Sequence, residues 1–108
     1  MTNIKVSLYN DYVHKIEVSG HTGYAEEGKD IICAALSAVM CNCHIGLAKV
    51  LNLDIKTIMD DGTGYMLIQM KDNNYQDQMA QAILQTTAVT LREIAEGFSK
   101  YVSIRFIE

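Results

Sequence analysis

No proline occurs anywhere in the 108-residue chain, and no stretch is rich in glycine or serine. Flexible linkers draw on those residues, so nothing marks a boundary and residues 1–108 read as a single domain. Basic residues are sparse: nine lysines and arginines stand against thirteen acids, for a net charge of −4. Nucleic-acid binders take much of their affinity from phosphate contacts, so this unclustered basic content disfavours direct binding of RNA or DNA. Cysteine is limited to positions 33, 41 and 43, and the opening MTNIKVSLYN lacks the apolar core of a signal peptide. An odd number of thiols without an export signal argues against a disulfide framework and for a reducing cytoplasm.

What is present is a globular balance, with 49% apolar and 20% charged residues. Ile4, Val6 and Leu8 alternate with Lys5, Ser7 and Tyr9, the period of a half-buried strand. Asn10-Asp11 supplies turn chemistry, and residues 13–19 continue as a second strand with Ile16 and Val18 on one face. Residues 31–51 predict a helix with Asp30 as its N-cap. This stretch is apolar enough to raise the question of a membrane span, but Ser37, Asn42, His44 and Lys49 interrupt it. A core helix buried over most of its circumference, or packed on another subunit, accounts for it better than a membrane does.

Residues 54–59 and 64–70 flank Asp60-Asp61-Gly62-Thr63 as a second hairpin, with Gly62 available for a positive φ. Residues 75–100 predict a second helix capped by Asn74, with Met79, Ile83, Leu91, Ile94 and Phe98 as its buried stripe. Val102, Ile104 and Phe106 alternate in a last strand. The order ββαββαβ predicts an α+β two-layer sandwich, with two helices on one face of a mixed β-sheet.

Chemistry concentrates between residues 20 and 37. Cys33 falls in the first turn of the predicted helix, where unpaired N–H groups and the helix dipole favour a thiolate. His21, twelve residues earlier in a glycine-bearing loop, is able to fold back as the base that takes the thiol proton and returns it to a leaving group. Gly20, Gly23 and Gly28 give that loop bends that suit a lid over a substrate. Asp30 either caps the helix or orients the imidazole, and the two roles compete. Ser37 lies one turn beyond Cys33 on the same face, and the N–H groups of the helix start offer an oxyanion site.

Taken singly, each residue has a plainer reading. Cys33 would be a small core residue, His21 a solvated loop side chain, Asp30 only a cap, and Ser37 a small packing residue. Cys41, Cys43 and His44 suggest a metal until their directions are considered. On a helix, residues two apart point roughly 200° from each other, so Cys41 and Cys43 cannot chelate one ion. No metal and no cofactor is expected.

The run GHTGYAEEGKDIICAALS, residues 20–37, resembles the signature of the ribosomal-processing cysteine proteases, the Prp family. That pattern is a Gly-His pair, a glycine-containing loop, and Gly-x-Asp-(Ile/Val)-x-Cys-Ala-Ala-x-Ser. Size and element order agree along the whole chain. The resemblance implies an endopeptidase that removes the N-terminal extension of a large-subunit ribosomal protein precursor. It implies Cys33 as nucleophile, His21 as base, Asp30 as supporting acid and Ser37 as a substrate-contacting or site-shaping residue. It also implies a loop over residues 20–29 that orders on substrate, and a homodimer; the charge balance and the interrupted apolar segment argue against direct nucleic-acid and membrane partners. Two other readings of the same residues stay open: a non-catalytic assembly factor that binds the precursor tail, and a small thiol-dependent acyl hydrolase.

Overall fold

The structure is a computed structural model that describes residues 1–21 and 30–108. Two strands open the chain, β1 (Thr2–Tyr9) and β2 (Tyr12–Ser19), joined by Asn10 and Asp11 at φ 51° and 67°. Two successive positive φ values twist the turn to match the right-handed twist of the strands, and Asn and Asp tolerate them better than most residues. The pairing slips by one residue between Ser7–Lys15 and Leu8–Val13, leaving His14 as the extra residue of a bulge. The bulge changes the phase of the pleat, so Val13 as well as Ile16 and Val18 is buried in the core.

Helix α1 (Ile31–His44) follows, and the chain continues as a wider π-helical turn over Ile45–Val50. Strands β3 (Ile55–Asp60) and β4 (Tyr65–Met70) form the second hairpin. A short 3-10 turn (Asn74–Gln76), helix α2 (Gln78–Gly97) and strand β5 (Val102–Ile107) complete the order. The sheet runs β3-β4-β2-β1-β5, with β1 and β5 parallel and every other pair antiparallel.

The even-numbered residues Ile4, Val6, Ile16, Val18, Met66 and Ile68 share one buried cluster with Ile32, Leu36, Met40, Leu84 and Leu91 of the helices. Both helices therefore lie on one sheet face, as the α+β sandwich requires. Each such fully buried aliphatic side chain contributes roughly 1.5–3 kcal/mol.

Three details differ from the sequence reading. First, α1 is not buried over most of its circumference: of the Ile31–Val50 segment only Ile32, Leu36, Met40, Cys43 and Leu47 are buried, and Ile31 and Val50 are 62% and 69% exposed. One sheet covers one stripe of a helix, and among the described residues no further layer packs on the opposite side. Second, α2 starts at Gln78 behind an Asp77 cap, and its buried stripe is Ala80, Gln81, Leu84, Thr87, Ala88, Leu91 and Ala95. Met79 and Phe98 are exposed, because small side chains let the helix approach the sheet more closely than bulky ones. Third, Gly64 and not Gly62 takes the positive φ in the β3–β4 turn, at 72°. Asp60 shapes that turn: its Oδ1 accepts from the N–H of Gly62 at 2.9 Å, and its carbonyl accepts from Gly64 at 2.9 Å.

Candidate active site

Asp30 adopts an extended backbone just ahead of α1, and its carboxylate Oδ1 accepts from the N–H groups of Ile32 at 2.9 Å and Cys33 at 3.0 Å. Its carbonyl accepts from Ala34 at 3.1 Å. The capping role is therefore realised, and it costs another. The N–H groups of Ile32, Cys33 and Ala34 are committed within the cap, so these three are not open as oxyanion donors.

Cys33 is the third helical residue and is half-buried, while Cys41 is exposed and Cys43 is buried. Burial pushes the Cys43 thiol up, a hydrogen bond to Thr87 offsetting part of the shift, so Cys43 is protonated and shielded at neutral pH. His44 is tied through Nδ1 to the Thr57 hydroxyl at 2.8 Å. These residues belong to packing and to the α1–β3 contact.

The open end of the sheet and the start of α1 enclose a cleft of about 380 Å³. Cys33 and Ser37 enter it from one face of α1, and His21 enters from the end of β2. Val18, Leu36 and Met66 provide apolar walls, while Asp60 and Asp61 approach from the β3–β4 turn. Four site residues read from sequence, His21, Asp30, Cys33 and Ser37, thus line one cavity together with Gly20. Gly23, Gly28 and most of the expected lid lie outside the described residues.

Gly20 plays a different part from the one expected of a flexible lid. At φ 88°, its α-carbon sits where an added Cβ would lie 2.9 Å from the Met1 carbonyl oxygen. It is a close-packed end to β2, and it delivers His21 to the cleft mouth. Thr2, Asp60, Asp61 and Gly64 were missed at the sequence level, because only strand pairing brings them to residues 20–37.

A thiol at a helix start that shares a cleft with an imidazole, above apolar walls, brings together the parts of a thiol hydrolase. Comparison with known proteins agrees. Residues 1–103 match the family described as cysteine protease Prp. The chain is 35% identical over 97 residues, 87% of each sequence, to the ribosomal processing cysteine protease Prp of Staphylococcus aureus. A crystal structure of the essential ribosomal processing protease Prp from S. aureus, with a covalently linked product peptide, superposes at a TM-score of 0.88. It shares 27% identity and covers 98% of this chain and 99% of its own. A Streptococcus mutans protein of 25% identity also superposes at 0.88, covering 99% and 94% of the two chains. The chain belongs to the Prp family and is a cysteine protease.

Proposed function

We propose that the chain removes the N-terminal extension from a large-subunit ribosomal protein precursor, with Cys33 as nucleophile and His21 as general base. The observation that carries this reading is the single cleft shared by Cys33, His21 and Ser37, in a chain whose S. aureus relative holds a covalently linked product peptide. His21 takes the Cys33 proton, and the thiolate attacks the scissile carbonyl carbon. The C–N bond breaks as the imidazolium returns its proton to the departing amine, which becomes the new N-terminus of the ribosomal protein. Water, deprotonated by His21, then hydrolyses the thioester and restores the thiol. Asp30 uses Oδ1 for the cap, and its second oxygen supports the imidazolium. Val18, Leu36 and Met66 receive apolar side chains of the extension, and Ser37 orients the peptide backbone.

Mass spectrometry of an extended precursor tests the reading. One defined cut by the wild type and none by Cys33→Ala is the expected result. A cut by both proteins would remove Cys33 from the mechanism. Binding without cleavage by either would return the chain to the assembly-factor reading.

A second copy of the chain covers the exposed apolar side of α1, in this proposal. Ile31, Cys41, Ile45 and Val50 all stand open on the helix and the turn that extends it. Sedimentation equilibrium is expected to return twice the 12.1 kDa chain mass, falling to one chain in Ile45→Glu. A monomeric wild type would refute this arrangement.

A further inference from the structure

The sheet ends beneath His21 in a way that bears on how the imidazole is held. The β1–β2 register has Asn3 opposite Ser19, so the next residues, Thr2 and Gly20, fall opposite each other. The β2–β4 register has Val18 opposite Met66, and two residues further on Gly20 faces Gly64. Thr2, Gly20 and Gly64 thus form one row across three neighbouring strands, and His21 is the next residue beyond the row.

The contacts along this row are close. The Thr2 hydroxyl donates to the Gly20 carbonyl at 3.1 Å, and Thr2 is 1% exposed. The Thr2 N–H donates to the Tyr101 carbonyl at 2.9 Å, which ties the row to the start of β5. On the other side, a Cβ added to Gly64 would lie 2.9 Å from the Gly20 carbonyl oxygen, 3.1 Å from its carbon, and 3.2 Å from His21 Cε1. Two of these atoms are backbone and the Thr2 bond holds the carbonyl oxygen, so a side chain at Gly64 has to push the Gly20–His21 peptide aside rather than a flexible side-chain end. Gly64 therefore leaves no room for a side chain between the turn and the Gly20–His21 peptide with its imidazole edge.

We infer that Thr2 and Gly64 are positioning residues for His21, clamping the Gly20–His21 peptide from both sides so that the imidazole is aimed at Cys33. The inference rests on the proposed role of His21 as the base. The β3–β4 turn is built for this contact. Asp60 holds its N–H groups, and the left-handed backbone at Gly64 brings the bare α-carbon forward rather than a side chain. Adding a methyl group there displaces the Gly20–His21 peptide by several tenths of an ångström. A base misplaced on the scale of an ångström is enough to cost about 10²-fold in rate.

The titratable groups that share the cleft with His21 are Asp30 and Cys33 at the start of α1 and Asp60 and Asp61 on the hairpin. Moving the imidazole away from Cys33 weakens the thiolate–imidazolium pair, so the acid limb of thiol reactivity shifts to higher pH. A change that only destabilised the fold would lower the amount of active protein without moving that limb.

The experiment compares wild type, Gly64→Ala, Thr2→Val and Gly62→Ala. It measures precursor cleavage, and the rate of Cys33 alkylation by iodoacetamide across pH in a background where Cys41 is serine. Gly64→Ala is expected to lose roughly 10- to 100-fold in kcat with KM within about threefold, and to alkylate with its acid limb moved to higher pH. Thr2→Val keeps the side-chain shape and the backbone while deleting the hydroxyl. It is expected to shift the limb in the same direction by less, and it carries the test if Gly64→Ala does not fold. Gly62→Ala, in the same turn but with its Cβ 3.3 Å from only an Asp60 carboxylate oxygen, is expected to behave as wild type. Unchanged limbs in Gly64→Ala and Thr2→Val, beside a wild type that cleaves, would overturn the clamp and leave the proposed function standing. A wild type that does not cleave refutes the proposed function instead, and the alkylation profiles still decide whether the clamp acts on the thiol.

Discussion

Replacing His21 with alanine is expected to lower kcat/KM for precursor cleavage by about 10³-fold at pH 7, within the range for losing a positioned acid–base group. Without the imidazole no base takes the thiol proton, and the leaving amine has no proton donor. The deficit should therefore shrink as pH rises towards 9, because hydroxide supplies the thiolate that His21 no longer makes. It should not vanish, since protonation of the departing amine stays unassisted. Rates measured from pH 6 to 9 check this, and a His21→Ala enzyme within tenfold of wild type at pH 7 would remove the base role. Asp30→Asn separates the two functions of its neighbour. Asparagine caps a helix about as well as aspartate, so the contacts to Ile32 and Cys33 survive and stability changes by only a few tenths of a kcal/mol. Any large loss of activity in that variant then belongs to the missing charge and not to the cap.

Substituting Gln81 is expected to be among the most destabilising single changes in the chain, although no functional role attaches to it. Gln81 is buried on α2, and its amide pairs with the backbone of Val13 in both directions. Its Oε1 accepts from the Val13 N–H at 3.0 Å, and its Nε2 donates to the Val13 carbonyl at 2.8 Å and to the Tyr75 carbonyl at 2.6 Å. Val13 lies beside the β-bulge, where the ladder is disturbed, and the glutamine side chain pairs with its two backbone groups. Leucine fills nearly the same volume but leaves three backbone groups without these partners, each costing about 1–3 kcal/mol if water does not reach them. Allowing for partial hydration, Gln81→Leu should lower the unfolding free energy by about 3 kcal/mol, a large share of the roughly 5–15 kcal/mol typical of a domain. Urea unfolding should show a lower midpoint at unchanged slope. A loss below about 1 kcal/mol would mean that packing rather than the amide clasp matters at this position.

Much of the architecture was legible before the structure because it depends on local period. The alternation of Ile4, Val6 and Leu8 and of Val102, Ile104 and Phe106 marked β1 and β5, and Asn10-Asp11 marked the turn between β1 and β2. The cap at Asp30 was legible for the same reason: it is a contact between residues two and three apart. That cap also placed Cys33 in the first turn, and the four-residue spacing placed Ser37 on its face.

Helix α2 shows where periodicity misleads. Large apolar residues drew the predicted stripe through Met79 and Phe98, while the sheet selected alanine, threonine and glutamine beside Leu84 and Leu91. A helix packs where it can approach most closely, and hydrophobicity alone does not report that distance.

The amino-acid sequence by itself determined the order of elements and a capped helix with a thiol in its first turn, since both follow from interactions within a few residues. Only the tertiary structure decided that Thr2, Gly20 and Gly64 meet beneath His21, and that Asp60 and Asp61 reach the same cleft. Those meetings follow from cross-strand register, which is set by the packing of the whole sheet against two helices and leaves no mark in any local stretch of the chain.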